Sequence, residues 1–374
     1  MNDERLHWLA LNTVKGIGAV RFKALIEAFG SAQKAWEAKP EVLYRLGIGE
    51  AAVDNLITAR RARVLSEIPA DLERYQIQAL TWEDETYPRR LRELDHSPPV
   101  LYLLGELSPE DEWSVGVVGT RKVTEYGQQV AEELGTFLAQ NGVVVVSGLA
   151  QGVDGVAHKA AMDAGGRTIA VLGHGLDRIY PAVHRPLAER MISQGALVSD
   201  YSIGTPPEPA NFPARNRIIS GLSLAVVIVE AGEESGALIT AGFAAEQGRE
   251  VFAVPGKIYS PQSKGSNRLI QQGAHPLVNF EDLLNALNLQ MMGQQKVARA
   301  VLPADATEAK LFGLLSHEPL HINEIGAKSS LPIDQVSSTL AFMELKGLVK
   351  QVGLMSYVVA RELRAEYNVN RGQE

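Results

Sequence analysis

Short runs of aliphatic and β-branched residues alternate with longer amphipathic segments through the middle of the chain. The runs occupy residues 115–118, 143–146, 168–172, 196–198, 224–229 and 251–254. Strands buried on both faces of a sheet read as continuous apolar runs, and the segments between them, such as 127–140 and 236–247, have the length of crossover helices. The pattern predicts an α/β domain with a doubly wound, Rossmann-like parallel sheet, placed at residues 71–290.

The first 70 residues have helical periodicity, with apolar positions spaced for helices in 20–29 and 50–61. The turns Lys15-Gly-Ile-Gly18 and Leu46-Gly-Ile-Gly49 each precede a predicted helix. Such turns are typical of helix-hairpin-helix or SAM-like domains, in which backbone N–H groups can face a phosphate. Residues 1–70 carry 10 Lys and Arg against 8 Asp and Glu. With so slight an excess, a plain helical bundle whose glycines only make tight turns is an equal interpretation.

The remaining segments are predicted to be connections and a third domain. Residues 71–112 are rich in proline and charge and are predicted to be a transition without a long helix, and 291–303 to be a linker. Within 304–374, helical stretches at 308–315, 321–325 and 332–346 precede short strands at 348–352 and 355–359, a winged-helix pattern. Residues 304–360 carry four Lys or Arg against six Asp or Glu, which favours a protein partner over DNA for this domain. The charged end, 362–374, is expected to fray.

Composition narrows the functional classes. The 374 residues are 45% hydrophobic and 21% charged, without a signal-like start or an apolar run of membrane-span length, which predicts a cytoplasmic protein with no membrane span. The lack of cysteine excludes disulfides and thiolate metal sites. A net charge of -8 opposes general nucleic-acid binding, but a local cluster of arginines can still bind phosphates on an acidic body.

Two arginine-containing stretches mark the predicted sheet domain. Gly116-Val-Val-Gly-Thr-Arg121 is a glycine turn at the end of the first predicted strand, and Phe212-Pro-Ala-Arg-Asn-Arg217 lies further along the chain. Guanidinium groups and the N–H groups that open a helix both suit phosphate. Neither stretch contains a carboxylate, a histidine or a cysteine, so binding of a phosphate chain is favoured over catalysis.

Motifs for cofactors, metals and nucleophiles are incomplete. The first turn lacks the G-x-G-x-x-G fingerprint and no P-loop occurs, so no nucleotide cofactor is predicted. Asp154 and His158 share a helical face, but no third metal ligand can be placed. We therefore expect no metal site, with Asp154 as the cap of a helix running through Ala161 and His158 at the surface. Ser147 does not complete a G-x-S-x-G elbow and is predicted to be a structural serine at a strand end.

A series of longer motifs follows the predicted strands and loops. They are Val117-Val-Gly-Thr-Arg121, Ser147-Gly-Leu-Ala-Gln-Gly-Val-Asp154, Ala170-Val-Leu-Gly-His-Gly-Leu-Asp177, Tyr180-Pro181, Phe212-Pro-Ala-Arg-Asn-Arg-Ile-Ile-Ser-Gly-Leu-Ser223, Ser235-Gly-Ala-Leu-Ile-Thr240, Glu246-Gln-Gly-Arg249 and Val254-Pro-Gly256. In this order and at these gaps they strongly resemble the DNA-processing protein A family (DprA, also called Smf), over about residues 70–290. The helical first domain and the winged helix fit the long, three-domain form of that family.

The resemblance implies a recombination mediator rather than an enzyme. Family members bind and protect single-stranded DNA during natural transformation, compete with single-strand binding protein and load the RecA recombinase. The matching positions imply a DNA site, without a cofactor, made of Gly119, Thr120, Arg121, Phe212, Arg215, Asn216 and Arg217. Two alternatives remain open, that Phe212 packs under the loop and that Asn216 shapes the backbone. Some relatives carry a basic residue where this chain has Glu208-Pro-Ala-Asn211, which puts one phosphate contact in doubt.

The resemblance also implies a homodimer formed through the carboxyl-terminal part of the sheet domain. The matching segment is Asn267-Arg-Leu-Ile-Gln-Gln-Gly273. Leu269 and Ile270 are adjacent, so a helix cannot turn both toward one narrow seam. One of them is predicted to face a twofold partner, and the alternative is that both belong to the domain's own core.

A second functional class is a Rossmann-type nucleotide phosphoribohydrolase of the cytokinin-activating kind, which shares the general fold plan. Those enzymes carry a P-G-G-x-G-T stretch and a catalytic acid after the strand that here ends at Val229. This chain reads Glu230-Ala-Gly-Glu-Glu-Ser-Gly-Ala-Leu238 instead. Glu230 is the residue that keeps the hydrolase open as an alternative.

Overall fold

The computed structural model describes residues 3–62, 64–287, 306–316, 319–345, 348–352 and 355–359. The chain divides into two compact units, Met1–Leu289 and Gln290–Glu374. The predicted linker at 291–303 and the charged end at 362–374 lie outside the described residues, and the predicted domain boundaries stay predictions.

The first unit begins with six helices, as the helical periodicity predicts. They are α1 (Asp3–Thr13), α2 (Ala19–Phe29), α3 (Ala32–Glu37), α4 (Pro40–Arg45), α5 (Glu50–Arg61) and α6 (Val64–Tyr75). A hydrogen bond connects the regions of the two glycine turns. Asn55 on α5, the helix after the second turn, donates its Nδ2 hydrogen to the carbonyl of Lys15 in the first turn at 2.8 Å. Arg21 reinforces the first turn by donating to the carbonyl of Gly16 at 2.6 Å.

An aromatic cluster joins the helical part to the sheet domain. Trp8 on α1 packs against Phe22 on α2 with ring centroids 4.8 Å apart, and Trp82 meets both rings at 5.7 Å in edge-to-face geometry. Edge-to-face pairs place the positive ring edge on the negative ring face, which adds to the stabilisation from apolar burial. Trp8 and Phe22 are fully buried, so this cluster fixes the helices onto the edge of the sheet.

The centre of the unit is a mixed sheet with nine strands in the described residues. The strands are β1 (Gln78–Thr81), β2 (Val100–Gly105), β3 (Ser114–Val118), β4 (Val144–Ser147), β5 (Thr168–Val171), β6 (Gly195–Ser199), β7 (Ala225–Ile228), β8 (Glu250–Ala253) and β9 (His275–Pro276). Their order is β1-β2-β6-β5-β4-β3-β7-β8-β9. From β6 to β9 all pairs are parallel, which confirms the Rossmann-like fold predicted from the apolar runs.

Strands β1 and β2 lie in the segment 71–112, which was predicted to be a transition without a long helix and for which no strands were predicted. They pair with each other antiparallel, and β2 pairs antiparallel with β6, where Tyr102 is opposite Ser199. The prolines of this segment lie outside the two strands, where they interrupt no ladder hydrogen bond. The segment therefore extends the sheet on one side.

The helices that follow the sheet strands are mostly crossover connections. They are α7 (Arg89–Arg92), α8 (Glu125–Gln140), α9 (Val153–Asp163), α10 (Arg185–Gln194), α11 (Asn211–Leu222), α12 (Gly236–Glu246), α13 (Lys264–Gln271) and α14 (Phe280–Ala286). Helix α8 packs along α9, and α11 packs along α12. None of the helices in the described part of the chain is long and apolar enough to cross a membrane.

The second unit has the predicted winged-helix architecture. Its elements are α15 (Ala306–Leu314), β10 (Leu320–His321), α16 (Ile322–Ser329), α17 (Ile333–Leu345), β11 (Val349–Gln351) and β12 (Ser356–Val359). The strands form an antiparallel sheet in the order β10-β12-β11. Leu311, Ile325, Val336 and Leu340 are fully buried between the helices and this small sheet.

Candidate nucleic-acid interface

The loops at the carboxyl ends of the parallel strands surround an open cavity of about 780 Å³, called the trough below. In open α/β sheets, ligands bind at this edge. The trough is lined by loops after β3 to β8, and its lining includes Gly119, Thr120, Arg121, Ala150, Asp154, Tyr180, Phe212, Arg215, Asn216, Gly232, Glu234 and Gln262. The structure thus brings six of the seven predicted DNA-binding residues to one place.

Three side chains form a stack in the trough. The guanidinium carbon of Arg121 lies 5.6 Å from the centre of the Phe212 ring. The ring of Tyr180 lies 5.7 Å from that of Phe212, tilted by 33°. Arg121 and Tyr180 are exposed, whereas Phe212 is half-buried and lies against Gly173. The stack therefore exposes a guanidinium group and an aromatic ring to solvent. The first can bind a phosphate, and the second can stack on a base.

Arg215 lies beneath this stack as a buried cation. Its Nη1 donates to the carbonyl of Gly148 at 3.0 Å, and its Nε donates to Asn216 Oδ1 at 3.2 Å. Burial lowers the pKa of Arg215 to about 10, although the carboxylate of Asp154 opposes this shift. The guanidinium nevertheless stays charged near neutral pH, and at the floor of the trough it lies beside the Asp154 carboxyl group.

The backbone of the Gly119 loop is fixed from two sides. Thr120 donates its N–H to the carbonyl of Glu230 at 2.7 Å, and its own carbonyl accepts the N–H of Val153 at 3.3 Å. Asn216 donates to the carbonyl of Gly236 at 3.3 Å, so its side chain joins α11 to the start of α12. Gly119 and Thr120 therefore shape the rim of the trough. Asn216 contacts a backbone carbonyl, as expected from the alternative in which its side chain shapes the backbone.

Arg217 is placed differently from the other predicted residues. Its Nη2 lies 2.5 Å from Asp200 Oδ2, and its Nη1 donates to the carbonyl of His96 at 2.9 Å. It does not line the trough, and its side chain is mostly buried. A direct phosphate contact by Arg217 remains a prediction, while the ion pair ties α11 to the loop after β6.

Asp154 is not the helix cap that the sequence predicted. Helix α9 begins at Val153 with Gly152 as its N-cap, and Asp154 lies inside the first turn. Its Oδ2 accepts the N–H groups of Gly148 at 3.1 Å and Ala150 at 3.4 Å. Burial raises the pKa of Asp154. The carboxylate therefore holds the loop after β4, which forms one wall of the trough.

His158 is buried, so its prediction as a surface residue was wrong. Thr168 donates its hydroxyl to the carbonyl of Val145 at 2.8 Å, which leaves its oxygen to accept the Nδ1 hydrogen of His158 at 2.6 Å. Nε2 then carries no hydrogen, and it has no hydrogen-bond partner in the described part of the chain. Burial, His184 and Arg215 lower the pKa of His158 to about 3. Ser147, as predicted, is structural and donates to the carbonyl of Val117 at 2.6 Å.

Glu230, on which the hydrolase alternative depends, accepts hydrogen bonds from Thr124, the N-cap residue of α8. Its Oε1 accepts the hydroxyl of Thr124 at 2.8 Å and its Oε2 accepts the N–H of the same residue at 2.9 Å. The carboxylate is buried and does not line the trough. Its position favours anchoring of the amino end of α8 over attack on a ligand in the trough.

Leu269 and Ile270 lie on α13 and are both half-buried. Both pack against the core of the sheet domain, and Leu269 also lines a groove of about 540 Å³ between α12, β8 and α13. Leu269 is the one that borders the groove, so it is the better candidate for a partner contact. The dimer itself remains a prediction.

Sequence reasoning gave no role to Tyr180. The residue lies in the predicted loop after β5, and its ring also meets His174 edge-on with centroids 6.4 Å apart. An exposed aromatic residue beside proline in a loop that reaches a predicted ligand edge is the signal that could have identified it.

The fold defines a class of protein, in which a Rossmann-like domain is accompanied by a helical domain and a winged helix. The family described as DNA recombination-mediator protein A matches residues 78–288. The DprA-like N-terminal HHH domain matches residues 2–70, and the DprA winged helix domain matches residues 295–353. The chain belongs to the DNA recombination-mediator protein A family.

Relatives are similar over most of the chain. Protein Smf of Synechocystis sp. is 36% identical over 95% of this chain and 99% of its own length. The X-ray structure of DNA processing protein A from Streptococcus pneumoniae has 30% identity and a TM-score of 0.65, covering 76% of this chain and 98% of that one. The protein from Helicobacter pylori, whose structure concerns its unique single-stranded DNA binding mode, has 32% identity and a TM-score of 0.52, covering 57% and 95%.

Proposed function

We propose that this protein is a single-stranded DNA-binding recombination mediator and that the strand lies in the trough. The stack of Arg121, Phe212 and Tyr180 over the buried Arg215 carries the proposal. The Helicobacter pylori relative, with its single-stranded DNA binding mode, supports the same ligand class.

The chemistry of the stack favours an unpaired strand. Sequence-tolerant strand sites combine cations that contact phosphates with rings on which bases stack. A base within a duplex must leave its partner and its neighbours to reach such a ring, at a cost of a few kcal/mol. The preference for single strands therefore follows from the aromatic residues, and Arg121 supplies the contact with the backbone.

Gel-shift titrations with single- and double-stranded DNA at several salt concentrations test this proposal. Arg121→Ala is expected to weaken single-strand binding by about 1.5–3 kcal/mol, the range of a charge-assisted hydrogen bond. Loss of one phosphate contact also reduces the slope of log K against log salt by about 0.7. Lys159→Ala is the matched control, because Lys159 is exposed on α9 and pairs with Asp163 in the next turn.

Two results would overturn the proposal. One is a folded Arg121→Ala protein that binds single strands as well as the parent at physiological salt. The other is a parent that prefers duplex DNA at every salt concentration.

The mediator role adds RecA as the partner that receives the strand, with displacement or bypass of single-strand binding protein. It is supported by membership of the family. RecA assembly on strands coated with single-strand binding protein should be faster with the parent than with Arg121→Ala. Equal rates with both proteins, at concentrations where only the parent binds DNA, would count against a mediator role that acts through the trough.

The hydrolase alternative has its own test. Incubation with nucleoside monophosphates is expected to release no free base, because both oxygens of Glu230 accept hydrogen bonds from Thr124. Turnover that disappears in Glu230→Gln would replace the binding proposal with an enzymatic one.

A further inference from the structure

A tight turn after β8 exposes two apolar side chains at its tip. Ser260 donates its N–H to the carbonyl of Lys257 at 3.0 Å, which places Ile258 and Tyr259 at the two central positions. Ile258 is 72% exposed and Tyr259 is 90% exposed. Central turn positions favour glycine, proline, asparagine, aspartate and serine, and adjacent exposed apolar residues point to a binding surface.

The backbone around this turn is well anchored. Asn267 on α13 accepts the N–H of Gly256 at 3.1 Å and donates to its carbonyl at 3.0 Å. Tyr126 on α8 donates its hydroxyl to the carbonyl of Pro255 at 2.9 Å. Ile258 and Tyr259 are therefore presented to solvent by a segment that two helices hold in place.

The turn stands at one end of the trough. The short helix Pro261–Ser263 follows it directly, and Gln262 in that helix lines the trough together with Gly232. Tyr180, after β5, lies toward the other end. The strand order between these ends is β5-β4-β3-β7-β8, which gives four strand spacings or roughly 19 Å.

We propose that the DNA strand leaves the trough over this turn and that one of its bases stacks on Tyr259, with Ile258 beside it. This inference rests on the proposed function and adds a second base-binding position to the same site. Base stacking on an aromatic ring is tolerant of sequence and contributes enough to be measured for a single base.

Charges near the turn indicate that the contact is made by a base rather than a phosphate. Lys257 and Lys264 are exposed, but Glu233 lies 3.8 Å from Lys264 and Glu234 lines the adjacent wall of the trough. These acids offset the lysines, so the turn is not a net positive surface. Its contribution to affinity should therefore depend little on salt, in contrast to that of Arg121.

Fluorescence of Tyr259→Trp tests whether a base reaches the turn. The protein has four tryptophans, of which Trp113 is 39% exposed, so the signal of a new tryptophan at 259 is taken as the difference between the variant and the parent. We expect quenching by oligothymidylate of about twelve nucleotides but not of about four, within the range of strand-site sizes.

Affinity measurements give a second readout. Tyr259→Ser should weaken binding of the longer strand by at least about fivefold, the equivalent of about 1 kcal/mol of stacking, with an unchanged salt slope. Val20→Ser is the control, since Val20 is 60% exposed on α2 and outside the trough. Binding of the short strand should be the same in all three proteins.

Unchanged long-strand affinity in Tyr259→Ser together with no quenching of Tyr259→Trp would overturn this inference. If Arg121→Ala still lowered affinity in the same experiments, the proposed function would stand without the extension. A parent protein that bound neither strand would remove both.

Discussion

The ion pair between Arg217 and Asp200 gives Arg217 a structural role. Its guanidinium is held by the Asp200 carboxylate and the His96 carbonyl, and both charged side chains are largely buried. Removing one partner of a buried pair leaves the other charge without compensation, at a cost of about 3–5 kcal/mol. We expect Arg217→Ala to lower the free energy of unfolding by this order, measured in urea.

The double variant Arg217→Ala with Asp200→Asn supplies the control, because it removes the uncompensated carboxylate. It should recover part of the lost stability. Arg121→Ala, at an exposed position, should leave the unfolding curve almost unchanged. Equal stability of Arg217→Ala and the parent would show that the ion pair contributes little and would strengthen the case for a direct DNA contact.

Buried His158 gives stability a defined dependence on pH. Its pKa in the folded protein is about 3, against 6.5 for the ordinary side chain. Between these values the unfolded chain binds a proton that the folded protein excludes, so stability falls as the pH decreases from about 6.5 toward about 3. His158→Gln, which keeps a polar partner for Thr168, should flatten this part of the curve of unfolding free energy against pH.

The comparison with the parent isolates His158 from other groups. Asp154 and Asp200 have pKa values raised by burial, and their contribution changes in the opposite direction as the pH falls. Both carboxylates are present in parent and variant, so the difference between the two curves reports the histidine. Identical slopes between pH 4.5 and 6.5 would contradict the assigned burial.

The sequence predicted the chemical type of the site residues better than the direction of their side chains. The sequence identified Arg121 and Arg215 because guanidinium groups near a glycine turn suit phosphate, and the family resemblance added Phe212. It did not show that Arg217 faces Asp200, since that contact joins α11 to a loop 17 residues away in sequence and depends on tertiary packing. The burial of His158 was missed for the same reason, because its partner Thr168 is on a neighbouring strand.

At the scale of elements, the loop after β4 and the loop after β3 meet at Gly152. This glycine has φ +81° and a Cβ there would clash with the backbone of Thr120 and Arg121. We expect Gly152→Ala to push the Arg121 loop out of place and to reduce strand binding at least tenfold, by a loss of about 1.4 kcal/mol or more. Binding would be measured by fluorescence anisotropy with a labelled single strand.

Gly165 is a control for a positive φ without crowding. It has a similar φ, +78°, but a Cβ at this position meets nothing within 4 Å. Gly165→Ala should therefore lose stability of the order of 1 kcal/mol, from the left-handed backbone alone, without a loss of strand affinity. Equal binding defects in the two variants would point to general destabilisation rather than displacement of the loop.

The helices and strands that could be predicted from the sequence are those with a regular apolar pattern. Six buried parallel strands and the winged helix produce continuous runs or helical periodicity and were predicted. Strands β1 and β2 were not, because their segment is interrupted by prolines and their pairing depends on β6, about a hundred residues later in the chain.

At the scale of the whole molecule, the groove beside α13 supports the proposed homodimer. The lining of the groove combines small and apolar residues, among them Ala241, Gly242 and Leu269, with charged residues such as Glu250 and Arg268, which could pair across a twofold axis. In such a dimer, two equivalent troughs on one strand would make the second contact intramolecular, which would raise affinity for long strands without any new contact type.

Leu269→Glu tests this assembly. A carboxylate at a half-buried position of the groove would have to be desolvated in a dimer, so the variant should be monomeric by light scattering at micromolar concentration. Its affinity for long single strands should fall by at least about tenfold, whereas affinity for strands that fill one trough should change little.

Exposed Ile239→Glu on α12, which is outside the lining of the groove, serves as the matched charge control. Because Leu269 also packs against the core of its own domain, an unfolding curve must first show that the variant is folded. A monomeric parent, or a folded monomeric variant that binds long strands as tightly as the parent, would remove avidity as the source of long-strand affinity.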